Sequence, residues 1–123
     1  MRLSKKLKTM ITALEDKKAE ALLVYDVKNK TPLAEYYILV SANNPRQLNA
    51  LYEAVDKVAS VNNYPIHHVE GRGKSKDWIL VDAYEIIVHI FSKQARNTYA
   101  LEELLHDAKL VYQTEVPAEE DLN

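Results

Sequence analysis

The amino-acid sequence predicts an α/β domain in which a mixed β-sheet of about five strands packs against helices. Short apolar runs rich in β-branched residues predict the strands, and apolar residues at helical spacing predict the helices. Their order along the chain is helix, strand, strand, helix, three strands, helix. This order calls for a helical crossover between residues 42 and 66, and it is typical of a mixed sheet.

The first half of the chain begins with an amphipathic helix over about residues 3–20. A strand buried on both faces is expected at 21–27, because this run is short, apolar and partly β-branched. Turn-forming residues at 29–32 separate it from a second strand at 36–42. The apolar residues of the helix that fall at helical spacing are Leu3, Leu7, Met10, Ile11 and Leu14.

The second helix has well-marked boundaries. Asn44 can cap the free amides at its start, and Pro45 suits the first helical position. Asn62 and Asn63 suit its end, because asparagine tolerates the left-handed conformation that is common there. The apolar stripe between these boundaries consists of Leu48, Leu51, Tyr52, Val55, Val58 and Ala59.

Three further strands are predicted at 66–70, 78–83 and 85–91. The chain has two glycines, Gly71 and Gly73, and both lie in the loop between the first two of these strands. Glycine adopts backbone angles that other residues avoid, so this loop is expected to need them.

A last helix is expected over about residues 98–107, with Leu101, Leu104 and Leu105 facing inward. Residues 109–112 follow as a short edge strand, which completes a single domain over 1–112. The segment 113–123 is acidic and has few apolar residues to bury, so disorder is expected there.

Composition and charge narrow the classes of function. Hydrophobic residues make up 47% of the 123 residues and charged residues 28%, as in ordinary globular proteins. The absence of cysteine is compatible with a reducing cytoplasm, and no apolar run approaches the ~20 residues of a membrane span. The formal charge is −2, and residues 113–123 contribute −4 of it, so residues 1–112 carry +2. Such a weakly charged body favours a protein partner over nucleic acid.

Residues 31–112 resemble the Iojap-like family of ribosomal silencing factors. The resemblance rests on the order and spacing of several pieces rather than on one motif. These pieces are Thr31–Ala42, Asn44–Leu48, Val69–Gly71, Trp78–Asp82, Ile86–Phe91, Arg96, Tyr99 and Leu101–Leu104.

The resemblance implies a nucleotidyltransferase-like fold without catalytic function. It also implies binding to ribosomal protein L-fourteen on the large ribosomal subunit, where the factor blocks docking of the small subunit and represses translation when nutrients are limited. The resemblance further implies a homodimer when the protein is free of the ribosome, as for several members of the family.

The sequence departs from the family pattern at four places. Glu35 stands where aspartate is usual, and Asn43-Asn44 replaces a turn with glycine or serine. Ala83-Tyr84-Glu85 stands where an aromatic or aliphatic residue, glycine and aspartate are common. Leu105 replaces the usual tryptophan of the last helix, which makes a large contribution of that helix to binding less expected.

The strand at 78–83 carries the main candidate binding residues. Trp78, Leu80 and Asp82 share one face of it, because side chains alternate between faces. An aromatic residue, a leucine and a carboxylate are typical of an interface anchor. The alternative is that a helix covers Trp78 and Leu80 while Asp82 caps a turn. The residues alone do not separate these readings, and the family resemblance favours the interface.

Other residues of the matched pieces extend this candidate site. Glu70 and Glu102 are expected to belong to an acidic surface facing a basic ribosomal protein, whereas Glu103 is more simply explained as solvated. Arg96 and Tyr99 either contribute to the rim of the site or pack the last helix.

No cofactor, metal site or catalytic residue is predicted. His67 and His68 are adjacent on a strand and point to opposite faces, and His89 is best explained as a hydrogen-bonded structural residue. A working nucleotidyltransferase needs a Gly-Ser phosphate loop with paired carboxylates for magnesium, and the chain has no Gly-Ser pair. The alternative functions are assembly of the large subunit and, less favoured, a residual nucleotide-binding enzyme.

Overall fold

A computed structural model describes residues 3–71 and 77–114, and within them the chain forms four helices and six strands. In chain order the elements are α1 Lys5–Asp16, β1 Glu20–Asp26, β2 Tyr36–Ala42, α2 Pro45–Val61, β3 His68–Glu70, β4 Trp78–Ala83, β5 Ile86–Ser92, α3 Lys93–Tyr99, α4 Leu101–Leu104 and β6 Lys109–Gln113.

The six strands form one mixed sheet in the order β3-β4-β5-β2-β1-β6. The central strands β2 and β5 run parallel, with Ile38 opposite Val88, and all other neighbours are antiparallel. The chain between β2 and β5 includes α2, β3 and β4, so α2 begins the crossover that a parallel pair requires.

The two long helices α1 and α2 cover one face of the sheet and seal the main core. Leu51 and Val55 of α2 and Leu14 of α1 have no exposed surface, nor do Val81 and Ile90 on the strands below them. Gln47, in the first turn of α2, donates to the carbonyl oxygens of Lys17 and Lys18 at 3.2 and 3.0 Å and so ties the start of α2 to the end of α1.

The short helices α3 and α4 cover part of the opposite face, where a second and smaller core forms. Its buried members are Val27, Ala34, Leu39, Ile87, Phe91, Ala95 and Leu105. Trp78, Leu80, Tyr25 and Tyr37 pack against this core while remaining only partly buried. We call this side of the sheet the open face.

The predicted α/β class, with a mixed sheet packed against helices, is confirmed. The strands at 36–42 and 78–83 have the expected bounds, and the short edge strand forms as β6, which makes six strands rather than five. Asn44 caps α2 as expected, since its side chain accepts from the amide of Gln47 at 2.8 Å. Strand β6 continues to Gln113, and residues 115–123 of the acidic segment lie outside the described residues.

The prediction of one last helix over 98–107 is wrong. Helix α3 already begins at Lys93, where Ser92 caps it, and it ends at Tyr99, because the φ of 48° at the next residue, Ala100, is left-handed. The separate turn α4 follows, so Leu104 lies 70% exposed instead of facing inward, while Leu105 is buried. Within the described residues, no helix is long and apolar enough to cross a membrane.

Candidate functional site

Strand β4 carries the alternation that the sequence predicts. Ile79, Val81 and Ala83 are buried against α1 and α2, whereas Trp78, Leu80 and Asp82 lie half-buried on the open face. Helices α3 and α4 therefore do not cover Trp78 and Leu80 completely, and the apolar surface of both residues remains accessible.

A shallow concavity of about 280 Å³ brings several of the predicted site residues together. Trp78 and Leu80 of β4 form its floor, Tyr99 at the end of α3 lies at its rim, and Glu70 of β3 and Asp77 add two carboxylates. The ring centroids of Trp78 and Tyr99 are 4.8 Å apart. An aromatic floor beside carboxylates suits an apolar side chain or the stem of a cationic one. Asp77 precedes the strand and belongs to no pattern in the sequence, so no signal in the sequence marks it as part of the site.

Trp78 is held from below by residues of β5. Its indole lies 4.9 Å from the ring of Phe91, and its Nε1–H donates to Nδ1 of His89 at 3.3 Å. The expected hydrogen bond of His89 is therefore observed at Nδ1. Burial in an apolar environment lowers the pKa of His89 to about 4, so its ring is neutral near pH 7.

Gly71 allows the backbone after β3 to pass close to the backbone of Trp78 beside this concavity. Its φ is +86°, a left-handed value that favours glycine, and a Cβ there would collide with the carbonyl oxygen of Trp78. The expectation of unusual backbone angles is confirmed at Gly71, whereas Gly73 lies outside the described residues.

Asp82 lies on the open face beyond the concavity and also has a structural role. One of its carboxylate oxygens accepts from the amide of Tyr84 at 2.9 Å and so caps the hairpin between β4 and β5. For Asp82 the turn-capping alternative is therefore observed. Desolvation by burial raises the pKa of the nearby Tyr37 hydroxyl, and the negative charge of Asp82 raises it further.

Arg96 packs inside the domain, which is the second of the two alternatives left open for it. The side chain is 7% exposed, its Nε donates to Glu102 at 3.0 Å, and its Nη1 donates to Ser41 at 3.0 Å. Glu102, predicted to belong to the acidic surface, is thus engaged with Arg96, although its side chain is still 36% exposed. Tyr99 is 55% exposed and lies at the rim.

The other titratable side chains of the described residues form no metal centre. Across residues 3–71 and 77–114, no group of three His, Asp or Glu side chains is placed to hold an ion. His67 contacts the ring of Tyr84, and His106 bonds to the carbonyl oxygen of Glu103.

The whole chain, residues 1–123, matches the family model described as ribosomal silencing factor during starvation, RsfS. The chain belongs to the RsfS family. The ribosomal silencing factor RsfS of Bacillus subtilis is 33% identical over 104 residues, which cover 85% of this chain and 87% of that protein. A crystal structure from Chromobacterium violaceum, 28% identical, superposes with a TM-score of 0.80 over 96% of this chain and 97% of the other.

A more distant relative is the mouse protein named mitochondrial assembly of ribosomal large subunit protein 1. It is 24% identical over 98 residues, which cover 77% of this chain and 42% of the mouse protein. The family is thus named for silencing of the ribosome, and one relative is named for assembly of the large subunit.

Two departures of this RsfS chain from the usual pattern have structural consequences. Tyr84, where glycine is common, adopts a left-handed φ of 68° at the tip of the β4–β5 hairpin. Leu105, which replaces the usual tryptophan, is 4% exposed and belongs to the second core, so it supplies no exposed anchor. Among the aromatic residues near α3 and α4, Trp78 and Tyr99 are the ones that form the concavity.

Proposed function

We propose that this chain acts in the cytoplasm as a ribosomal silencing factor that binds ribosomal protein L-fourteen on the large subunit. In this proposal the bound domain occupies the space that the small subunit needs, and so it represses translation when nutrients are limited. The mechanism is steric and involves no catalysis. Membership of the RsfS family supports the class of function, and the concavity formed by Trp78, Leu80 and Tyr99 beside Glu70 carries the proposed contact.

The chemistry of the concavity fits a basic protein surface. Aromatic residues in partly desolvated pockets supply a large part of the binding energy at protein interfaces. Carboxylates around them attract a basic partner, which speeds encounter and fixes orientation more than it raises affinity. Glu70 is well placed for this, because its side chain is 64% exposed at the edge of the concavity.

The proposal can be tested with two tyrosines of similar exposure. Tyr99 is 55% exposed at the concavity, and Tyr84 is 49% exposed at the hairpin tip. We expect Tyr99→Ala to weaken binding to purified large subunits, measured by co-sedimentation, by roughly thirtyfold, which corresponds to the ~2 kcal/mol of an interface hot spot. The same variant should lose potency in preventing 70S formation from isolated subunits. Tyr84→Ala should retain the affinity and potency of the unmodified protein.

Two results would overturn different parts of this proposal. If Tyr99→Ala remains folded and keeps full affinity, the concavity is not the contact site. If the unmodified protein binds large subunits but leaves subunit association unchanged, steric blocking is wrong. Capture of isolated protein L-fourteen by the unmodified chain, and loss of that capture in Tyr99→Ala, tests the identity of the partner.

The second candidate function is assembly of the large subunit, which the name of the mouse relative favours. Both functions involve the same particle, so cells lacking the gene must separate them. Accumulation of large-subunit precursors in sucrose gradients during rapid growth indicates assembly. Persistence of 70S ribosomes during starvation, with no precursors, indicates silencing.

A further inference from the structure

His89 is the polar residue in an otherwise apolar stretch of β5. The residues on either side of it, Ile86–Val88 and Ile90–Phe91, are all buried hydrophobics, and His89 itself is 5% exposed. It lies on the open face, between Leu80 of β4 and Leu39 of β2, directly beneath the floor of the concavity.

The hydrogen bond to Trp78 fixes the tautomer of this histidine. An indole N–H can only donate, so Nδ1 of His89 must offer a lone pair, and the proton of the neutral ring sits on Nε2. Within residues 3–71 and 77–114, this buried Nε2 has no hydrogen-bond partner. Burying an unpaired N–H opposes folding, so the stability of the domain alone does not call for histidine here.

Three aromatic rings hold the imidazole in place. The ring centroid of His89 lies 4.8 Å from that of Tyr37, 5.9 Å from Trp78 and 6.0 Å from Phe91, and the Phe91 ring is nearly parallel to it. The acceptor that meets the indole N–H is therefore fixed in position by packing. A fixed acceptor selects one orientation of the indole ring, whereas an aliphatic side chain would fill the space without selecting any.

We infer that His89 is a positioning residue for partner binding, which acts through Trp78 by holding its indole in the orientation that the partner meets. This inference rests on the proposed function, since it assigns Trp78 to the contact surface. Holding an aromatic side chain in place before binding lowers the entropy lost on association.

The test compares His89→Leu with His89→Asn. Asparagine can place Oδ1 close to the position of Nδ1 and accept from the indole, whereas leucine removes the acceptor and the unpaired N–H together. We expect His89→Leu to unfold at the same or a higher urea concentration and yet to bind large subunits about three- to tenfold more weakly, the effect of greater freedom in one large side chain. His89→Asn should recover most of the affinity.

Tryptophan fluorescence of the free protein gives a second readout, because Trp78 is the single tryptophan of the chain. In His89→Leu the emission should show lower anisotropy and easier quenching by acrylamide, and His89→Asn should resemble the unmodified protein. Ile90→Val is the matched control: it lies next to His89 on the buried opposite face, so it should lower stability without changing either readout.

The inference is overturned if His89→Leu keeps the affinity and the fluorescence anisotropy of the unmodified protein, or if His89→Asn binds as weakly as His89→Leu. Failure of the proposed function is a different result. If the unmodified protein does not bind large subunits, that function is wrong, whereas the fluorescence of the free variants still decides whether His89 positions the indole.

Discussion

The two faces of the sheet are closed in different ways. On one face, α1 and α2, of 12 and 17 residues, bury an aliphatic core in which Leu14, Leu51 and Val55 are completely inaccessible. On the open face, α3 and α4 have 7 and 4 residues and leave Trp78 and Leu80 half-buried. Helices this short cannot bury the width of a six-stranded sheet.

Because of this difference, one face mainly stabilises the domain and the other is available to contact a partner. Hydrophobic stabilisation grows with the apolar area removed from water. The face covered by α1 and α2, which we call the sealed face, therefore contributes most of it. Apolar surface left accessible on the open face still has free energy to gain when a partner covers it. The rings of Trp78, Phe91 and Tyr99, the buried His89 and the carboxylates of the concavity lie on this second face. The comparison therefore predicts that substitutions on the two faces change different measured quantities.

The largest expected effect comes from the sealed face. Leu51→Ala should lower the free energy of unfolding by roughly 3–5 kcal/mol, since it removes a fully buried leucine and leaves a cavity. Leu80→Ala on the open face should cost clearly less, because part of that side chain is already in water. Urea denaturation followed by circular dichroism measures both losses.

Binding should show the opposite ranking. The folded fraction of Leu51→Ala should keep its affinity for large subunits, while Leu80→Ala should lose affinity because it removes part of the floor of the concavity. Equal losses of stability for the two variants, or an unchanged affinity for Leu80→Ala, would show that the two faces do not divide these roles.

A second effect concerns acid, and it arises from the open face. The pKa of His89 falls from 6.5 to about 4 on folding, because burial disfavours the charged ring. Below pH 6.5 the unfolded chain therefore binds a proton that the folded protein does not. The free energy of unfolding is therefore not reduced by His89 above pH 6.5. It falls by roughly 3 kcal/mol as the pH is lowered from 6.5 towards 4.

Comparison with His89→Leu isolates this contribution from the carboxylates, which also titrate in acid. The unfolding free energy of the unmodified protein should fall more steeply between pH 7 and pH 4 than that of the variant. Parallel pH profiles for the two proteins would mean that His89 is not the buried neutral group described above.

The regular parts of the fold were predictable from local patterns. Asn44 and Pro45 define the start of α2 because capping depends on adjacent residues alone. The assignment of Trp78, Leu80 and Asp82 to one face of β4 needed only the two-residue period of a strand. These inferences do not depend on how distant segments pack.

The cover of the open face was not predictable in this way. Ala100 carries no sign of a left-handed conformation, since alanine is normally the strongest helix former. The buried position of Arg96 depends on Ser41 and Glu102, and Ser41 lies 55 residues away in the sequence. Tertiary packing decided both outcomes, which is why one long helix was expected where two short ones form.

The smallest expected effect concerns the interruption at Ala100 between α3 and α4. Ala100 has φ 48° and ψ 47°, a conformation that strains alanine but suits glycine. Ala100→Gly should therefore raise the free energy of unfolding by roughly 0.5 kcal/mol, after the greater freedom of glycine in the unfolded chain is subtracted. The same substitution inside α2, Ala54→Gly, should lower it by about 1 kcal/mol. Urea midpoints compare the two variants.

Ala100 joins the helix that carries Tyr99 to the helix that carries Glu102. If packing already fixes this turn, Ala100→Gly should leave the affinity for large subunits unchanged. A loss of stability in Ala100→Gly would place α3 and α4 in one continuous helix and remove the structural reason for the open face.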